Sequence, residues 1–181
     1  MIGRGEITKQ AQSDRVDAQT AERDYILAHV AIEIAAGAGE RMVLKGGTSL
    51  RLAHYDNYRY SADLDYSLLG ITAYEAFNLI AEALGRCRDR IGIDILELDT
   101  NASPPRISYV GPLAAKPRSI KVDKPSRPCR RRTRYRTPIN GAHCHMERSA
   151  RGRDDPLLHA DRDMRRVDVQ VIHRGWGGLF E

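Results

Sequence analysis

Two aspartates one residue apart, in DLDYSL (63–68), constrain this chain more than any other feature. The run alternates and reads as a strand, and residues i and i+2 of a strand project from one face. Asp63 and Asp65 therefore stand side by side while Leu64 turns to the core. Adjacent carboxylates repel unless a cation lies between them. The usual cation is Mg²⁺, a hard ion that takes oxygen ligands and bridges carboxylates to substrate phosphates. Two such ions can clamp the attacking and leaving oxygens of a phosphoryl or nucleotidyl transfer. A third carboxylate on a neighbouring strand would complete the site. Asp123, which ends the alternating run SIKVD (119–123), is the best candidate.

Upstream, LKGGTSLR (44–51) fits the same chemistry. Gly46 and Gly47 let backbone N–H groups approach phosphate oxygens with no Cβ in the way. A helix starting at Thr48 would aim its positive end at the same place. Thr48 can cap that helix and touch a phosphate, and Arg51, one turn on, can reach a phosphate or pin the strand carboxylates. Taken singly, each has a plainer reading: a tight turn, a solvated strand face, a surface charge, the end of an edge strand. The joint order, with a later strand ending in Asp, favours the functional reading. No G-x-x-x-x-G-K-[ST] is present, so this is not a P-loop.

The rest of the pattern sets the fold class. Residues 20–37 carry Ile26, Val30 and Ile34 at helical spacing, opened by Thr20 and closed near Gly37 or Gly39. MVLK (42–45) reads as a strand, 48–55 as a short helix, and 63–68 as a strand. Residues 72–89 read as a helix, and 91–98, 106–110 and 119–123 as strands. Helices interleaved with strands and then a run of strands predict an α/β (α+β) chain with a mixed sheet flanked by helices. The length of 181 residues suits one domain, or one domain and a tail. No run approaches the ~20 apolar residues that cross a bilayer. The polar start MIGRGEITKQAQSDRVD and three cysteines, an odd number, favour a cytoplasmic chain with no disulfide framework and no membrane partner.

The net charge of +5 is unevenly placed. Residues 1–115 carry 12 Lys and Arg against 16 Asp and Glu, whereas residues 116–181 carry 17 against 8. The basic character thus belongs to the end of the chain and says little about the Asp-x-Asp region. After Asp123 the sequence is Arg- and Pro-rich, with little apolar periodicity before VDVQVI (167–172), so little order is expected there. RPCRRRTRYR (127–136) could hold RNA phosphates with Tyr135 stacking on a base, although a solvated charged segment is the plainer reading. Cys129, His143, Cys144 and His145 do not match the spaced pairs of zinc sites.

At this point the residues resemble a family. LKGGTSLR (44–51) and YRYSADLDYSL (58–68) look like the motifs of the AbiEii/AbiGii-type nucleotidyltransferase toxins, which include the mycobacterial MenT group within the DNA-polymerase-β-like superfamily. AERDYIL (21–27) and SIKVD (119–123) are similar to flanking stretches of that family, so the resemblance spans residues 5–124. It implies a nucleotidyltransferase domain over 1–124, with an Arg/Pro-rich tail over 125–181, disordered or aberrant, in place of the family's helical region. It implies that Gly46 and Gly47 contact the triphosphate of an NTP, with Thr48, Arg51 and Ser61 assisting. Asp63 and Asp65 would hold Mg²⁺, and Asp123 would complete the metal site or deprotonate the attacking hydroxyl. The implied activity is transfer of a nucleotide to the 3′ acceptor end of tRNA, which blocks translation, with a cognate antitoxin as partner. Transfer onto a protein hydroxyl, or an inactive remnant with a basic nucleic-acid-binding tail, are the alternatives. The family's Glu-Lys-Leu and Arg-Asp-x-x-Asp stretches are not found after Asp123. An out-of-frame 3′ coding end would produce such a change of texture.

Overall fold

A computed structural model describes residues 2–55, 58–113, 116–123, 136–139 and 142–145. In chain order the elements are α1 (Arg4–Asp14), α2 (Ala18–Ala38), a 3-10 turn (Gly39–Arg41), β1 (Met42–Lys45), α3 (Gly46–Ala53) and β2 (Asp63–Leu68). Then follow α4 (Ala73–Ile91), β3 (Asp94–Asp99), β4 (Arg106–Val110), β5 (Arg118–Val122), β6 (Arg136–Ile139) and β7 (Ala142–His145). The expected α/β class with a mixed sheet is what the chain adopts.

The helix boundaries follow their caps. Asp17, rather than Thr20, opens α2 by accepting a hydrogen bond from Thr20 N at 2.9 Å. Gly39, at φ +57°, ends it. Thr72 and Glu75 form a reciprocal capping box at the start of α4, with Thr72 N donating to Glu75 at 2.7 Å and Glu75 N to Thr72 Oγ1 at 3.2 Å. The helix α1 was not anticipated. Its stretch is polar, and only Ile7 and Ala11, one turn apart, are buried, which is too sparse for a periodic signal.

Five strands form one sheet in the order β1-β2-β5-β4-β3. The β2–β5 pair is parallel, with Asp63 opposite Lys121 and Leu64 opposite Val122, and the other neighbours are antiparallel. A register shift between Ile95 and Glu97 interrupts β3 against β4. β6 and β7 pair with each other as a second, two-stranded sheet, and β7 runs close to β1. That hairpin was not expected, because RTPI and AHCH carry none of the usual apolar alternation. The expectation of little order over 125–181 otherwise lies outside the described residues, as do Cys129 of the zinc reading and residues 127–135 of the RNA reading.

One face of the five-stranded sheet is dry. Leu64, Ile107, Tyr109, Ile120 and Val122 are buried beneath α2 and α4, together with Ile26, Val30 and Ile80. Each such side chain contributes about 1.5–3 kcal/mol of burial. Alternation then sends Asp63, Asp65 and Lys121 to the opposite, partly exposed face. Among the described residues no helix is long and apolar enough to cross a membrane.

Candidate functional site

The site begins where β1 turns into α3. Lys45 ends β1 opposite Asp65, and Gly46 at φ +72° swings the chain into the helix. A Cβ at Gly46 would collide with the Asp65 carboxylate, and one at Gly47 would come within 3.2 Å of Ser61 Oγ. The two glycines therefore let the first turn of α3 press directly against β2. Lys45 at the N-cap position supplies no side-chain hydrogen bond to that turn. The first N–H groups of α3 form the positive end of the helix, which favours an anion.

Thr48 does not cap the helix. It is 2% exposed, and its Oγ1 donates to the Asp63 carbonyl oxygen at 2.5 Å, tying α3 to the strand that carries both aspartates. Arg51 likewise takes a different place from the one expected. Its Nε and Nη2 form a fork on Asp24 at 2.8 and 3.0 Å, and its Nη1 donates to the Tyr58 carbonyl at 3.0 Å. The guanidinium lies 3.6 Å from the centre of the Tyr60 ring, whose hydroxyl bonds to Asp14. Arg51 thus pins α3 and the approach to β2 onto α2, and none of these contacts involves Asp63 or Asp65.

The three aspartates come together on the open face. Asp123 N donates to the Leu64 carbonyl at 3.0 Å, which extends the β2–β5 pairing by one residue and sets the Asp123 side chain beside Asp65. Asp65 and Asp123 share a side-chain hydrogen bond. Burial, then the bond to Asp123, pushes the Asp65 carboxyl up to about 6. The bonds from Asp65 and then Lys121 hold Asp123 below the usual carboxylate range. The proton of the pair therefore rests on Asp65. Lys121 Nζ lies 2.7 Å from Asp123 Oδ1 and 3.8 Å from Asp63 Oδ2, and these three side chains are 37–43% exposed.

The donor set, three carboxylates, has the oxygen chemistry that a hard divalent cation takes. Among the described residues, however, no group of three or more His, Cys, Asp or Glu side chains is gathered as a metal site requires. The ammonium of Lys121 stands between Asp63 and Asp123 instead. Lys121 was also legible in the sequence, since its i, i+2 spacing to Asp123 puts both on one face of the SIKVD run. Sequence reading assigned no role to Asp24 or Glu22. Glu22 is fully buried and accepts from Leu113 N at 2.8 Å and from Arg118 at 2.9 Å, fixing the entry to β5. The signal for both was the acid-Arg-acid run Glu22-Arg23-Asp24 just ahead of the apolar stretch of α2.

The chain is similar to known proteins at the level of family and of fold. A family model described as "Nucleotidyl transferase AbiEii toxin, Type IV TA system" matches residues 25–139. The crystal structure of JHP933 from Helicobacter pylori is similar in fold, with a TM-score of 0.50 and 20% identity over 71% of this chain. The match covers 53% of the JHP933 chain, so this chain spans about half of that protein. No curated protein matches the sequence.

Proposed function

Because the chain belongs to the AbiEii family of nucleotidyl transferase toxins from type IV toxin–antitoxin systems, we propose that it transfers a nucleotide from an NTP to the 3′ acceptor end of tRNA and so blocks translation. The observation that carries this reading is the convergence of Asp63, Asp65 and Asp123 on one sheet face. That face adjoins the glycine turn that opens α3. Gly46 and Gly47 present backbone N–H groups to the triphosphate, and the Ser61 hydroxyl sits beside Gly47 to assist. Thr48 supports the turn from within, and Arg51 holds it in place from α2.

Asp63 and Asp65 are the residues to hold Mg²⁺, with Asp123 completing the set. When bound, the ion would neutralise phosphate charge and orient the reacting oxygens. In the transfer, the acceptor hydroxyl oxygen forms a bond to the α-phosphorus and the bond to pyrophosphate breaks. The Asp123 carboxyl, held below the usual carboxylate range in the folded chain, would accept the hydroxyl proton. An antitoxin from the same operon and a cytoplasmic setting complete the proposal.

Incubation of the purified chain with labelled NTPs, with and without tRNA, tests the acceptor. Label at the 3′ end of tRNA is the expected result. Label on protein would shift the acceptor to a side-chain hydroxyl, and label on neither would overturn the reading.

A further inference from the structure

Lys121 occupies an unusual position for a surface lysine. Its Cα lies opposite that of Asp63 in the parallel β2–β5 pair, and Asp123 follows two residues later on the same face. Its ammonium bonds Asp123 Oδ1 at 2.7 Å and reaches within 3.8 Å of Asp63 Oδ2. A single positive charge therefore links one carboxylate from each strand, while the third, Asp65, is bonded to Asp123. Arg106, paired with Lys121 between β4 and β5, turns its guanidinium to Ser119 Oγ at 3.2 Å, while Lys45, opposite Asp65 in the β1–β2 pair, adds a second positive charge near the cluster. The same cluster is not gathered for a metal ion in this arrangement.

We propose that Lys121 is a built-in counter-cation. Its ammonium neutralises Asp63 and Asp123 when no divalent ion is present, and it must withdraw before those carboxylates can close on one. This rests on the reading of the acidic face as a metal and nucleotide site. The physics is competition between two cations for the same oxygens. Lys121 is 37% exposed and sits on a flexible four-carbon stem, so it can swing into solvent without disturbing the strand. Binding of an ion must displace it, which weakens the site for metal alone. A nucleotide triphosphate offers the displaced ammonium new oxygen partners. Metal and nucleotide should therefore bind better together than apart, a coupling that acts equally in both directions.

Titration of the full chain with Mn²⁺ alone, following free Mn²⁺ by electron paramagnetic resonance, tests this without any turnover. Lys121→Met should bind Mn²⁺ more tightly than wild type, by roughly 1.5- to fivefold, the range expected when one competing exposed ion pair is removed. Lys121→Arg, which keeps the charge, should not show that gain. A non-hydrolysable NTP should tighten Mn²⁺ binding strongly in wild type and less in Lys121→Met. Equal or weaker binding by Lys121→Met overturns the inference. Asp65→Asn separates the two levels of the account. If wild type binds Mn²⁺ and Asp65→Asn weakens it, but Lys121→Met gains nothing, only the role of Lys121 fails. If neither wild type nor Lys121→Met binds Mn²⁺, the metal site itself fails. Thermal melts of each variant in chelator establish that it is folded.

Discussion

At Gly46 the backbone takes φ +72° beneath the Asp65 carboxylate, and both facts exclude a side chain. Gly46→Ala should cost about 1–2 kcal/mol from the left-handed backbone alone, and displacement of Asp65 should add to it. Nucleotide binding should fall more than stability does, which calorimetry and a nucleotide titration on the same sample would show. Asp65 predicts a pH effect whose sign follows from its raised value. Between the ordinary 3.8 and about 6 the folded chain keeps a proton that the unfolded chain has released. The stabilising contribution of this carboxyl is therefore full below about pH 3.8 and lost as pH rises through about 6. Asp123, held low, acts with the opposite sign. In chelator at pH 7.5, Asp65→Asn should melt a few degrees above wild type, and the gap should close towards pH 5. An equal gap at both pH values would contradict the raised Asp65 carboxyl.

At the scale of elements, the buried helix α2 acts as the frame on which the site is hung. Asp24 reaches α3 through Arg51, Glu22 reaches the start of β5 through Arg118, and Glu33 holds Arg86 and Arg90 of α4. The Asp24–Arg51 pair is 4% and 13% exposed, so removing one partner strands a buried charge. Arg51→Ala should cost about 3–5 kcal/mol, while the paired change Asp24→Asn with Arg51→Met should cost clearly less. Denaturant melts of the three proteins would decide between a structural pin and a free phosphate ligand. This is also where sequence reading met its limit. The strand DLDYSL, the glycine turn and SIKVD were legible because their chemistry is local: alternation, missing side chains, a terminal acid. The partner of Arg51 was not, because Asp24 lies 27 residues away and contact across helices leaves no spacing to read. Thr48 misled for a related reason. Its position suits a cap, but β2 brought a carbonyl within reach of its hydroxyl. The helix α1 escaped because two buried side chains make no period.

For the whole molecule, the division of labour is by sheet face. The dry face under α2 and α4 supplies stability, and the open face carries Asp63, Asp65, Lys121 and Asp123 beside the start of α3. That separation lets charged groups cluster on β2 and β5 without entering the core. The chain belongs to the AbiEii family, and it shares its fold with JHP933 at 20% identity. The central claim is that those carboxylates make the chain a toxin. Its most direct test is induced expression of the full chain in a bacterial host, beside the double variant Asp63→Ala/Asp65→Ala at equal protein levels, with growth as the readout. The account predicts arrest by wild type and normal growth with the double variant. Equal arrest by both, or by neither, would contradict it.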